Sequence, residues 1–195
     1  MYDARGFLAM PPEAAKRLFT TNEFRRMAEA GIFGEGDRVE LIGGEIIALT
    51  PIGPRHAHCV RRLIALLAAR VGTSAIVDAQ NPIVLDDYSE PQPDVVLLEP
   101  QSDFYKHSHP GPRDVLLVIE VADASADYDR AIKVPQYARA GIPEVWVVNL
   151  PQQVVEVYRR PSGHQYDEHV AVGPADRLRL PGVRDQSLGV GDIFG

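Results

Sequence analysis

Two acidic residues lie in stretches that otherwise have the character of buried strands. Asp94 precedes the apolar run 95–98 (VVLL), and Glu120 falls inside 115–121 (VLLVIEV). A strand without polar alternation is typically buried on both faces, and a carboxylate there is costly unless it is paired, hydrogen-bonded or bound to a metal. Mg²⁺ needs only one or two carboxylates plus substrate phosphate. With Lys133 on the helix that follows, the set predicts a divalent-metal site, because a lysine can position the attacking water and offset charge on phosphorus.

The elements that must position these residues form a β–β–β–α–β run after an earlier helix, which predicts an α/β fold with a mixed sheet flanked by helices. At 195 residues the chain is expected to be a single domain, 1–195. Helices are expected at 11–31, with Thr20 and Glu23 as a capping box, at 56–70, and at 127–140, where Pro135 should kink the helix or start it afresh. Strands are expected at about 75–85, 94–99, 114–121, 144–149 and 153–159, followed by short β-like pieces.

A third carboxylate is predicted on a β-hairpin. The pair Gly43-Gly44 between two apolar runs is typical of a two-residue turn. In that register Glu40 pairs with Ile47 and shares a face with Ile42, so Glu40 is expected on an apolar face.

Charge and composition restrict the class of protein. The net charge is −7, which disfavours a sequence-independent DNA-coating protein but leaves room for a local basic groove. Cys59 is the single cysteine, so no intrachain disulfide can form and a cytoplasmic location is expected. No apolar run approaches the roughly 20 residues of a membrane span, and the N-terminus does not have the pattern of a secretory signal.

Five segments together resemble a known family. They are 39–45 (VELIGGE), 93–94 (PD), 119–121 (IEV), 129–133 (DRAIK) and 137–146 (YARAGIPEVW). This series is similar to that of the Uma-two family of bacterial proteins, whose fold is the restriction-endonuclease-like PD-(D/E)xK fold. The likeness runs from about residue 20 to residue 150 and is expected to continue to the end.

The resemblance implies a metal-dependent endonuclease or phosphodiesterase acting on nucleic acid. It places Mg²⁺ or Mn²⁺ at Asp94 and Glu120. The general nuclease pattern has a lysine where this chain has Ala122, and the family moves that lysine to the following helix, here Lys133. Glu40 carries over as a catalytic candidate and His56 as a possible second-shell residue. Related folds pair two sites, so a homodimer is expected.

Other interpretations remain open from the sequence alone. The displaced lysine and the acidic charge would also suit a catalytically inactive scaffold or interaction module that retains the nuclease fold. Paired carboxylates could serve a metal-independent hydrolase. His56 and His58 have the spacing of a zinc motif, although positions i and i+2 of a helix face different ways. Cys59 lies on the apolar stripe of its predicted helix, which disfavours a nucleophile.

Overall fold

The computed structural model describes residues 16–34, 36–123 and 125–195. Its elements alternate between strands and helices around one large sheet, as the sequence predicts. In chain order they are α1 (Thr21–Glu29), β1 (Val39–Ile42), β2 (Glu45–Ala48), α2 (Pro54–Val71), β3 (Ile76–Asp78), β4 (Val95–Leu98), a 3₁₀ turn (Pro112–Asp114), β5 (Val115–Ala122), α3 (Ala126–Tyr128), a π-helical turn (Asp129–Lys133), α4 (Val134–Ala140), β6 (Glu144–Asn149), β7 (Val154–Ser162), β8 (Gln165–Val172), β9 (Arg177–Arg179), β10 (Ser187–Gly189) and α5 (Val190–Phe194).

The central sheet has six strands in the order β3-β4-β5-β6-β7-β8. Strands β3, β4 and β5 run antiparallel, β5 and β6 run parallel, and β6, β7 and β8 run antiparallel. The parallel pair requires a crossover connection, which α3, the π-helical turn and α4 supply. The predicted mixed sheet flanked by helices is confirmed, and the strands that carry Asp94 and Glu120 are neighbours.

Helices cover both faces of the sheet, which explains why the strands are apolar throughout. On one face the core includes Leu63 and Leu67 of α2, packed with Trp146 of β6. On the other face it includes Tyr137 of α4 and Val118 of β5. These five side chains are fully buried. The sheet is therefore a rigid support for groups at the ends of β4 and β5.

Two predicted elements differ from those in the structure. β3 is three residues long, because Gln80 has a positive φ of 57° and Pro82 has no N–H to donate to a ladder. The tail contains β8, a strand of eight residues that joins the main sheet. The capping box of Thr20 and Glu23 is confirmed, with α1 beginning at Thr21. The prediction of helix is therefore wrong for residues 16–20, which are not helical, and residues 1–15, which include its expected start, lie outside the described residues.

No helix in the described part of the chain combines the length and the apolar character needed to cross a membrane.

Candidate active site

The pairing of β4 with β5 brings Asp94 and Glu120 together. Val95 pairs with Ile119, so the next position outward in the same antiparallel register sets Asp94 opposite Glu120. Directly opposed residues share one face of the sheet, with Cβ atoms about 4.5–5.5 Å apart. The N–H of Val121 donates a hydrogen bond of 2.9 Å to Asp94 Oδ2, which fixes the Asp94 carboxylate at this end of the strands.

The β1–β2 hairpin carries Glu40 into the same place. Its turn is formed by Gly43 and Gly44, with φ of +56° and +81°, and a Cβ on Gly44 would lie 2.6 Å from the Cβ of Leu18. The predicted pairing of Glu40 with Ile47 is confirmed. Glu40 is fully buried, and its Oε2 accepts a hydrogen bond of 3.2 Å from the N–H of Gln92.

Lys133 comes from the π-helical turn between α3 and α4. The Val134 N–H bonds to the carbonyl of Asp129, and the wider turn precedes Pro135, whose ring would clash with the carbonyl four residues earlier in a regular helix. Of the two outcomes predicted at Pro135, a kink or a fresh helical start, the structure shows the fresh start, because α4 begins at Val134. Arg130 fastens the turn to β7 through Glu156, with Nε lying 2.8 Å from Oε2.

The ammonium group of Lys133 lies between two carboxylates. Its Nζ is 3.2 Å from Glu120 Oε1 and 3.1 Å from Glu40 Oε2. Asp94, Glu120, Glu40 and Lys133, the predicted site residues, therefore occupy one region, with Asp94 and Glu120 opposed on the strands and Lys133 bridging Glu120 to Glu40.

His56, on the first turn of α2, contacts this group. Its Nε2 lies 2.9 Å from Asp94 Oδ2. Its Nδ1 is buried and has no hydrogen-bond partner within the described residues. His58 points elsewhere, to a separate cavity that Cys59 also lines, so the two histidines do not converge. Burial raises the pKa of the Cys59 thiol to about 12, which argues against a thiolate nucleophile.

Three further residues belong to the site, although no role was assigned to them from the sequence. Tyr137 donates a hydrogen bond of 2.6 Å from its hydroxyl to Glu120 Oε1. Asp129 is buried and accepts a hydrogen bond of 2.9 Å from Ser125 Oγ. The hydroxyl of Tyr128 is buried without a hydrogen-bond partner in the part of the chain described. Residues 129, 133 and 137 are four positions apart, which places them on one side of a helix. This spacing is the sequence signal that indicates Asp129 and Tyr137.

The site holds more negative than positive charge. The exposed fractions are 0% for Glu40, 3% for Glu120, 4% for Asp129, 5% for Lys133 and 9% for Asp94. Burial raises the pKa of Glu120 to about 8, against the opposing effect of Lys133, and raises the pKa of Asp129 to about 6. Burial alone would lower the pKa of Lys133, but Glu120 and Glu40 raise it above its usual value, so the lysine stays charged.

The donor set fits a hard divalent cation. Glu40, Asp94, Glu120 and Asp129 are all buried, the ammonium group of Lys133 contacts two of them, Glu40 and Glu120, and a bound cation would offset the excess charge. Glu40 Oε1 is buried and lacks a hydrogen-bond partner among the residues described, while Glu120 accepts its hydrogen bonds through Oε1. No three acidic, histidine or cysteine side chains of the described residues are arranged to hold an ion by themselves. An ion held by only one or two of these carboxylates would need water or substrate oxygens as its remaining ligands.

A cavity of about 590 Å³ leads to these groups. Asp94, Glu120 and Lys133 line it together with Tyr128 and the segment 47–53 that joins β2 to α2. Its size is within the range of small-molecule pockets, so part of a substrate can enter and reach the carboxylates.

Comparison with known proteins identifies a family and several similar solved structures. The model of the Uma2 family, described as "Putative restriction endonuclease", matches residues 21–191. The fold is similar to that in a crystal structure from Anabaena variabilis ATCC 29413, whose title calls it a putative nuclease belonging to DUF820. That similarity has a TM-score of 0.72 at 16% identity and covers 90% of this chain and 97% of the other. No curated protein matches this chain.

Proposed function

This chain belongs to the Uma2 family, and on that premise we propose that it is a metal-dependent nuclease that hydrolyses phosphodiester bonds. The observation that carries the proposal is the placement of Lys133 Nζ 3.2 Å from Glu120 Oε1, at the floor of a cavity that Asp94 also lines. Buried carboxylates with an adjacent lysine, in a cleft and with perturbed pKa values, are typical of an active site.

In the proposed reaction, Asp94 and Glu120 would hold Mg²⁺ or Mn²⁺. The bound ion would supply Lewis-acid stabilisation of the phosphoryl oxygens and a more acidic water. Glu40 keeps Lys133 in place through its Oε2, and its Oε1, which has no hydrogen-bond partner among the described residues, is available to a water or an ion. His56 orients Asp94 through the contact at Oδ2.

The chemical step is hydrolysis. The water oxygen forms a bond to phosphorus, the bond from phosphorus to the leaving oxygen breaks, and the proton lost by the water is balanced by the proton gained by the leaving oxygen. Lys133 remains protonated, orients the water and offsets the charge that develops on phosphorus. Tyr137 holds Glu120 in position through its hydrogen bond.

A titration of Mn²⁺ against melting temperature, followed by cleavage assays on a small phosphodiester, tests the proposal. A cation that binds only the native state must raise the melting temperature, and Asp94→Asn should remove that rise. Asp167→Asn, an exposed position on β8, is the matched control. If neither Mn²⁺ nor Mg²⁺ at millimolar concentration stabilises the wild type, the inactive-scaffold interpretation becomes the better one.

We also propose that the chain forms a homodimer and acts in the cytoplasm. β8 is the last strand of the sheet, and an edge strand can pair with a second copy. Light scattering tests this, since a mass of 21.5 kDa would mean a monomer. The single cysteine, Cys59, which is buried, supports the cytoplasm as the compartment.

A further inference from the structure

We infer that the cavity accepts a single-stranded segment or an unpaired end of nucleic acid, and that intact duplex is a poor substrate. The inference rests on the proposed function, because it names the substrate class of the same site. Three properties of the cavity support it, namely the depth of the reactive groups, the apolar wall and the sign of the surrounding charge.

The reactive groups line the cavity but are almost fully buried. Asp94 is 9% exposed and Glu120 is 3% exposed. A scissile phosphate must therefore enter the cavity to come within reach of them. In a duplex each phosphate belongs to a stiff double helix, whereas an unpaired strand can turn one phosphate inward while its bases lie outside.

Apolar side chains form the wall contributed by β2 and the loop that follows it. Ile47, Leu49 and Pro51 line the cavity, and Ile52 lines it with 38% of its surface exposed. Tyr128 adds a half-buried aromatic ring. Unpaired bases stack on such surfaces, and the bases of a duplex are not available to do so.

The charge around the cavity disfavours a duplex. Asp123 lies in the wall, and the adjacent Arg55 is ion-paired with it at 3.2 Å. Among the described residues, the lysine and arginine side chains that line the cavity are Arg38 and Lys133, and Lys133 is already paired with Glu40 and Glu120. Binding a duplex depends on several lysine or arginine contacts to successive phosphates, and the described residues that line the cavity supply only Arg38 and Lys133. One inward-turned phosphate needs only the ion and Lys133.

The test compares three labelled oligonucleotides of one sequence in Mn²⁺, namely a single strand, a blunt duplex and a duplex with an unpaired tail. Bis(p-nitrophenyl) phosphate reports on the chemistry independently of strand type. We expect the single strand and the tail to be cut at least about tenfold faster than the blunt duplex, as expected from losing one or more stacked bases. A blunt duplex cut as fast as the single strand overturns the inference, and leaves the proposed function intact if the small phosphodiester is also cut.

Binding separates the two proposals when no cleavage is seen. Fluorescence anisotropy in Ca²⁺ measures the affinity for each oligonucleotide, and equal affinities for single strand and duplex would overturn the inference. Ile52→Ala should weaken single-strand binding by about fivefold, because it removes apolar contact area. Ile32→Ala, at an isoleucine that is 60% exposed and does not line the cavity, is the matched control. Unchanged single-strand affinity in Ile52→Ala contradicts the apolar-wall argument.

Discussion

Lys133 Nζ lies 3.2 Å from Glu120 Oε1, although the two residues come from different elements. Glu120 is held by the central sheet, and Lys133 is held by a π-helical turn that Arg130 fastens to β7. Breaking a buried ion pair by removing one partner leaves a charge without compensation, at a cost of about 3–5 kcal/mol. Substitutions at the two positions should therefore have different consequences for stability, metal binding and catalysis.

Glu120→Gln should weaken Mn²⁺ binding without destabilising the apo protein. It keeps the shape of the side chain but removes one negative charge, and cation affinity depends on the number of charged ligands. The loss of repulsion toward Asp94 and Asp129 offsets the loss of the pair with Lys133. Isothermal titration with Mn²⁺ and apo melting temperatures measure both effects, with Glu29→Gln, an exposed position, as the control. Wild-type Mn²⁺ affinity in Glu120→Gln would remove Glu120 from the ligand set.

Lys133→Met should have the opposite pattern. Methionine keeps much of the volume but leaves Glu40 and Glu120 without a counter-charge, so the apo melting temperature should fall and Mn²⁺ should restore it. Phosphodiester cleavage should drop by about 10²–10³-fold, the usual effect of losing one preorganised electrostatic group. Ile132→Met, at an exposed neighbour, controls for the new side chain. Cleavage at the wild-type rate in Lys133→Met would show that the lysine has only a structural role.

The stability of the apo protein should fall as the pH rises. Glu120 has its pKa raised from 4.5 to about 8, and Asp129 has its pKa raised from 3.8 to about 6, in both cases mainly by burial. The folded state therefore binds more protons than the unfolded state. The free energy of unfolding is highest at a pH below the pKa values of the unfolded chain, and it declines as the pH rises through the pKa values of the folded protein. The total decline is on the order of a few kcal/mol.

Chemical denaturation of metal-free protein between pH 5 and 8 measures this slope. Glu120→Gln should flatten it, because glutamine cannot titrate, while Glu29→Gln should leave it unchanged. Saturating Mn²⁺ should reverse the trend, since the ion competes with protons for the carboxylates. Equal slopes in wild type and Glu120→Gln would contradict the assignment of the titration to Glu120.

The parts of the site that the sequence predicts are those set by short-range rules. The Gly43-Gly44 turn fixes the hairpin register, and that register places Glu40 opposite Ile47, as the structure confirms. The acidic interruptions of two apolar strands indicate Asp94 and Glu120 because a buried carboxylate needs a compensating partner. Lys133 is indicated by its place on the helix that follows Glu120, and the family resemblance adds His56. The structure brings both to the same place.

The parts that the sequence does not predict depend on departures from regular geometry or on weak patterns. Helices are predicted from apolar residues that repeat every 3.6 positions, which is the period of an α-helix. This pattern does not indicate the π-helical turn at Asp129–Lys133. β8 carries charged residues at several positions and has one largely exposed set of side chains, so its pattern is too polar to distinguish it from a loop. The sequence places Asp129 and Tyr137 on the same side of a helix as Lys133. Only the predicted role of Lys133 gives a reason for them to be buried.

Tyr137→Phe should impair the site only by loosening the position of Glu120. The change removes the hydrogen bond of 2.6 Å to Glu120 Oε1 and keeps the ring in the core. Losing a partner that orients a metal ligand typically costs about 10–100-fold in metal affinity or activity. Titration calorimetry and cleavage rates measure the loss, and Tyr166→Phe, which removes a hydroxyl bonded to the carbonyl of Ile142 away from the site, is the control. Equal losses in the two variants would point to a general effect on folding.

Tyr128→Phe should lower the cleavage rate without lowering the stability of the apo protein. The Tyr128 hydroxyl is buried and has no hydrogen-bond partner among the described residues, and burial raises its pKa to about 12, so it remains a donor at neutral pH. An unsatisfied buried donor costs about 1–3 kcal/mol, so phenylalanine should leave the apo protein equally or more stable. If the hydroxyl donates to the incoming phosphate or its water, the cleavage rate should fall. The affinity for a single strand should be retained, because phenylalanine keeps the aromatic ring. Paired measurements of apo melting temperature, anisotropy and cleavage rate distinguish these effects. A lower apo melting temperature would mean that the hydroxyl already has a partner within the fold, and the assignment of Tyr128 to the substrate would then be wrong.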